Sequence, residues 1–257
     1  KDWASYVMTS RMAQTTDNVY GILDDLAPKA VEKAKIEAAS IQKVINDSGE
    51  SFELKPWDWA FYAEKVRAEK YDLDPALVKP YFEMNSVIHD GLFFAMNKLY
   101  GITFKERKDL PVYHEDVTAY EVFNADGSAI GLFYMDPYAR EGKRGGAWMS
   151  AYVSQSGLKG TKPVIYNAQN IPKPAAGEPT LMTFDEVSTM FHEFGHAAHG
   201  LFSDVKYPSL AGTATARDFV EFPSQAHEDW MIEPTVLANY AKHYKTGEPI
   251  PQALLDK

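Results

Sequence analysis

Two histidines four residues apart with a glutamate between them, His192, Glu193 and His196, are the residues of this chain whose types and spacing could do chemistry. On a helix, residues four apart stand one turn above each other, so the two imidazoles can converge on one ion while Glu193 is turned about 100° away. That is the H-E-x-x-H pattern, in which two imidazoles hold zinc and the glutamate works on a metal-bound water. A catalytic zinc needs a third protein ligand and one open position. His199 is a poor third ligand, because it lies roughly 10 Å along the axis from His192 at 1.5 Å per residue. It reads instead as a group behind the ligands or on the substrate side. Position 202 is Phe202, which excludes the variant with a third histidine six residues after the second. The third ligand must come from another segment.

The element that positions this motif is written into TFDEVSTMFHEFGHAAHG, residues 183–200. Thr183 with Glu186 three residues later predicts a capping box at the helix start, and Gly200 predicts a left-handed cap at its end. Val187, Met190, Phe191, Phe194 and Ala198 make one apolar stripe facing a core. Further on, RDFVEFPSQAHEDW predicts a second amphipathic helix, with Phe219, Phe222, Ala226 and Trp230 on one side and Glu221, Gln225 and Glu228 on the other. Pro223 is tolerable there in a first turn. Asp218, Glu221 and Glu228 are the candidates for the third ligand. Glu221 is nearest the helix start, where the loop from Gly200 returns it toward the histidines. That loop, residues 201–216, is longer than most helix-to-helix connections and should line the cleft.

With 257 residues, 45% hydrophobic and 24% charged, the chain can bury a substantial core. No apolar run is long enough for a membrane span, and the first residues do not form a secretion signal. A net charge of −10 argues against a nucleic-acid surface. The lack of cysteine excludes disulfides, thiolate zinc sites and a cysteine nucleophile, and suits a cytoplasmic location.

In chain order, residues 1–109 read as a helical part and 110–257 as a sheet with the metal-binding helices. A charged helix is expected from Pro28 to before Gly49, with Ala30, Ala34, Ile41 and Ile45 as its stripe. PWDWAFYAEKVRAEK predicts a second, with Trp57, Phe61 and Tyr62 in a core, and a third runs from about Pro80 to Leu99, ending at Gly101. VTAYEVF, a turn at Gly127 and SAIGLFYM predict a hairpin; AWMSAYVSQ and PVIYNAQ predict two more strands, about four in all. The linker IPKPAAGEPT is too short for an interdomain tether, so sheet and motif helix should share one unit. Gly145 and Gly146 precede the third strand. They mark either a bulge or a place where an extended peptide pairs with an edge strand. His89, His114, His227 and His243 read as structural. The fold class is mostly α with a small β-sheet, α+β.

FHEFGHAAHGLF followed by LAGTATARDFVEFPSQ, with KPVIYNAQN, KPAAGEP and GGAWM upstream, resembles the thimet oligopeptidase family of zinc peptidases, and within it the bacterial peptidyl-dipeptidase branch. The resemblance covers nearly the whole chain. It implies a zincin-like fold and one zinc ion per chain bound by His192, His196 and Glu221. It makes Glu193 the general base and short peptides the substrates, with release of C-terminal dipeptides; an endo-acting oligopeptidase and a non-catalytic zinc- or peptide-binding module are the alternatives. In that family the oxyanion donors are tyrosine and histidine groups from a segment beyond the zinc helices, for which no motif is present here. The resemblance therefore implies a fragment of a larger peptidase, itself weak or inactive.

Overall fold

The computed structural model describes residues 2–71 and 75–256. It groups the chain into two compact units, residues 1–77 with 251–257, and residues 78–250. The first unit is helical, with α1 (Trp3–Met8), α2 (Thr16–Asp47) and α3 (Trp59–Tyr71). The Thr15 hydroxyl caps α2 by accepting from the Asn18 amide at 3.2 Å. α2 thus starts twelve residues before the expected Pro28, which lies inside it: the N-cap and the helix formers around it outweigh the one ladder bond that proline removes. The buried residues of α2 lie in its C-terminal half. Ile41, Val44 and Ile45 meet Tyr62, with Leu54, Trp59, Ala63 and Val66 against them, whereas Ala30 and Ala34 are exposed. Trp57 and Phe61 are also exposed, contrary to expectation, so of the three predicted core aromatics only Tyr62 is buried. Tyr62 lies on the α3 face turned to α2, and Phe61, one residue away, is turned off it.

The second unit opens with α4 (Met84–Ser86), a π-helical stretch Val87–Phe93 and α5 (Phe94–Tyr100), closed by Gly101 at φ 71°. Gly101 is the cap the sequence predicts. A five-stranded mixed sheet follows, β1 (Thr103–Glu106), β2 (Thr118–Phe123), β3 (Ala129–Tyr138), β4 (Trp148–Val153) and β5 (Val164–Ile171), in the order β1-β2-β3-β5-β4. β3 and β5 are parallel and the other pairs antiparallel. The hairpin turns at Gly127, φ 83°. The strand missed by pattern is β1, whose four residues Thr-Phe-Lys-Glu carry no apolar alternation because they form a charged edge. Among the described residues β4 is the opposite edge and pairs only with β5.

The motif helix α6 (Phe184–Leu201) lies on one face of this sheet. Phe194 stands edge-on to Phe133 and Phe104, at 5.1 and 5.7 Å between ring centres. The predicted stripe is the buried one: Val187, Met190, Phe191, Phe194 and Ala198 are all at most 2% exposed. The chain then runs through α7 (Glu221–Glu228) and α8 (Pro234–Tyr240); α9 (Gln252–Leu255) belongs to the first unit. Among the described residues no helix is long and apolar enough to cross a membrane.

Candidate metal centre

α6 starts where the sequence says. The Glu186 amide donates to the Thr183 hydroxyl at 3.1 Å and the Thr183 amide to the Glu186 carboxylate at 2.7 Å, a reciprocal capping box. Its end differs: Gly200 is inside the helix and Phe202 is the C-cap. A Cβ on Gly200 would stand 2.8 Å from both Ile165 Cδ1 and Met149 Cε, so glycine serves here to seat α6 on β4 and β5.

A second glycine sets the other side of the site. A Cβ on Gly195, inside the motif, would lie 2.6 Å from the Ser224 Cα and 3.1 Å from His227. Its absence lets α7 approach α6 closely enough to present its first residue, Glu221, to the histidines. α7 is shorter than expected, and its buried face is Ser224 and His227; the expected apolar side fails, with Phe222 68% exposed. The cause is the small residue across the interface, which admits the backbone of α7 rather than large side chains. Pro223 occupies the first turn, where its missing amide costs nothing.

The imidazoles of His192 and His196 are 5.0 Å apart between ring centres and nearly perpendicular. Glu221 Oε2 lies 3.2 Å from His192 Nε2 and 2.9 Å from His196 Nε2. One ligand atom from each of the three residues falls within 4.8 Å of the others. Ser224 Oγ donates to Glu221 Oε2 at 2.9 Å. Burial works against ionisation of Glu221, but the Ser224 hydroxyl and the two imidazoles outweigh it and hold the carboxyl below its usual range. Burial pushes His196 down, more than Glu221 beside it pulls it up, which favours the neutral imidazole a metal needs. His192 Nδ1 stands 2.6 Å from Glu228 Oε1, a contact that orients the ring with Nε2 toward Glu221. His196 Nδ1 is buried without a hydrogen-bond partner. Two imidazoles, the carboxylate they share and a second carboxylate behind one ring form a donor set that fits zinc or a similar divalent ion.

Glu193 is 6% exposed, and its Oε2 has no partner. Burial, with Glu221 adding to it and His192 opposing, pushes its carboxyl up to about 7. A group poised there can both take and return a proton near neutrality. Together with Ala147, Ser188, Thr189, His192 and Glu228 it lines a cleft of about 320 Å³.

Gly145 and Gly146 sit in the loop that leads into β4, and Gly146 adopts φ 83°. Asn170 Nδ2 donates to the carbonyls of Arg144 and Gly146, both at 2.7 Å. At the other end of the loop, the buried Lys143 ammonium donates to the carbonyls of Asp136 and Tyr138, each at 2.8 Å, and to Asp136 Oδ1 at 3.0 Å. Arg140 completes a fork on Asp136 at 2.6 and 2.8 Å, and the Tyr113 hydroxyl adds a third donor group. The edge strand is thus delivered by a loop tied at both ends.

His199 does not join the cluster of His192, His196 and Glu221. It lines a separate cleft of about 630 Å³ with Tyr100, Phe202, His227 and residues of the long loop after α6, among them Leu210 and Thr215. The long loop was expected to line the cleft of the metal-binding motif; its residues line this separate cleft instead, and none of them lines the one beside Glu193. His227 donates from Nδ1 to the Pro223 carbonyl at 2.6 Å, which leaves Nε2 to accept from the Tyr100 hydroxyl at 3.2 Å. His114 and His243 each accept a backbone amide, and His89 packs edge-on against Phe93 and Tyr120. Sequence reasoning weighed Glu228 only as a ligand and missed its place behind His192. The available signal was its spacing, seven residues after Glu221 and therefore on the same stripe of α7.

The model of peptidase family M3 matches residues 1–257. The chain is 51% identical over 255 residues to the dipeptidyl carboxypeptidase of Escherichia coli strain K12, covering 99% of this chain and 37% of that protein. It is 40% identical over 261 residues to oligopeptidase A of the same strain, covering all of this chain and 38% of that protein. The organellar oligopeptidase A of Arabidopsis thaliana is 36% identical over 267 residues, with 34% of its length covered. The chain spans little more than a third of the length of these relatives.

Proposed function

The chain belongs to peptidase family M3, and on that premise we propose that it carries the metal site of a zinc peptidase that hydrolyses short peptides and releases C-terminal dipeptides. The observation that carries this reading is the convergence of His192 Nε2 and His196 Nε2 on one oxygen of Glu221, at 3.2 and 2.9 Å, with Glu193 beside them. His192, His196 and Glu221 would hold one zinc ion. When bound, such an ion supplies Lewis-acid polarisation of the scissile carbonyl and makes water acidic enough to ionise near neutral pH.

The chain's own residues do the rest. Glu193 takes the proton of the attacking water on a carboxylate oxygen and returns it to the leaving amine. Glu228 holds the His192 ring in one orientation through Nδ1. The edge of β4, introduced by Gly145 and Gly146, offers backbone groups to an extended peptide, which binds it without regard to side chains. His199 lies on the far side of the ligands, in the cleft with Tyr100 and His227, and is not a ligand in this reading. Release of dipeptides rests on the 51% identity to a dipeptidyl carboxypeptidase, against 40% to oligopeptidase A.

The test uses the longest natural polypeptide that contains this chain. Expected are one zinc per chain, loss of peptide hydrolysis on chelation, recovery on adding zinc, and slower cleavage of a C-terminally amidated peptide than of its free-ended form, with dipeptides identified by mass. A Glu221→Ala protein that keeps zinc as tightly as the parent would remove Glu221 from the ligand set. Equal rates on amidated and free peptides would move the protein to endo-acting cleavage.

A further inference from the structure

Asn167, in the middle of β5, is 4% exposed, and both its amide atoms, Nδ2 and Oδ1, are buried without a hydrogen-bond partner. Its surroundings are apolar. The register sets it beside Met135 on β3 and Met149 on β4. Two residues before it on the same face, Ile165 reaches Gly200 of α6; two residues after it, Gln169 Nε2 donates to the Glu186 carbonyl of α6 at 3.3 Å. Asn167 therefore faces α6 midway between the turns of Glu186 and Gly200. Those two residues are fourteen apart, and the residue seven from each, on the same stripe of the helix, is Glu193. Around Glu193 on α6, Met190 and Ala197 are buried and apolar. On this stretch of the helix Glu193 Oε2 is a buried carboxylate oxygen without a partner; His196 Nδ1, also unpaired, belongs to a ring turned toward Glu221 on α7.

A buried amide among methionines and an isoleucine is unfavourable unless it bonds something, because each unpaired polar atom has lost its water. Leucine has nearly the same size and would avoid that loss. We propose that Asn167 is a positioning residue for Glu193: its Nδ2–H group donates to Oε2 of the carboxylate, directly or across one water, and so leaves Oε1 turned to the cleft shared with His192 and Glu228. Asn167 does not touch the reacting atoms; it decides which way the carboxylate points.

This rests on the reading of Glu193 as the proton carrier, and the experiment separates the two. Asn167→Ala and the volume-keeping Asn167→Leu are compared with the parent, each also in a Glu193→Gln background, by kcat, KM, zinc content and Tm, in the longest natural polypeptide that contains this chain. Expected is a fall in kcat of about 10- to 100-fold for both single variants, the range for a hydrogen bond to a charged group, with KM and zinc within twofold. Asn167→Leu should be at least as stable as the parent. In the Glu193→Gln background neither Asn167 variant should lower kcat further. A kcat within twofold of the parent for Asn167→Leu, or the same proportional loss in both backgrounds, overturns the proposal, since a purely structural asparagine acts on both alike. If Glu193→Gln alone leaves kcat intact, it is the reading of Glu193 that fails.

Discussion

The two faces of the sheet treat buried polarity in opposite ways. Asp136 and Met135 are neighbours on β3, and side chains alternate along a strand, so Asp136 points away from α6 while Met135 points toward it beside Asn167. On the far face the Asp136 carboxylate accepts from Arg140, Lys143 and Tyr113, and the Lys143 ammonium finds three acceptors, as many as it has donors. On the α6 face Asn167, Glu193 and His196 all keep polar atoms without partners. A saturated cluster fastens a loop. An unsaturated one, which costs about 1–3 kcal/mol for each unpaired group, is where a fold gives up stability for chemistry.

Substitutions on the two faces should therefore separate activity from stability. The largest effect is expected of Glu193→Gln, which should lower turnover by about 10²- to 10⁴-fold with metal retained and Tm no lower than the parent's. Metal analysis beside kcat checks this, and a variant that keeps a tenth of the parent's turnover would place proton transfer elsewhere.

On the opposite face, Asp136→Ala should affect turnover per folded molecule far less than Glu193→Gln does but cost about 3–5 kcal/mol of stability, because Lys143 is left charged and buried without its carboxylate. Urea unfolding measures it, and removing the ammonium as well, in Asp136→Asn with Lys143→Met, should recover much of the loss. The same cluster fixes an acid dependence. Burial raises the Asp136 carboxyl, but its donors outweigh that and hold it below the usual range. A folded value below the unfolded one gives stability that is full above about pH 4 and is lost as pH falls through the folded value. The double variant should lack that step.

The smallest effect is expected of Glu228→Gln, which keeps the shape behind His192 and removes the charge. Metal affinity should fall by about 10- to 100-fold, measured by competition with a chelator, while Glu193 and the peptide edge are untouched. An unchanged affinity would mean that Glu228 fills space rather than orienting the ring.

How much of this was legible depends on whether the information is local. The start of α6, its buried stripe and the stacking of His192 under His196 follow from spacing within one turn of helix, and so do the hairpin at Gly127 and the cap at Gly101. The identity of the third carboxylate could be narrowed by sequence to Asp218, Glu221 and Glu228. Only tertiary structure decides which of them approaches the imidazoles, because that depends on how near α7 comes at Gly195, a contact made across 29 residues. The same dependence explains the errors. Trp57, Phe61 and Phe222 are aromatic at helical spacing yet exposed, since a helix shows which residues share a face and not whether another element covers that face. Asn167 could not be read at all. In sequence it is one of three amide residues in β5, with Gln169 and Asn170, and it becomes informative only when its face of the strand is laid against α6.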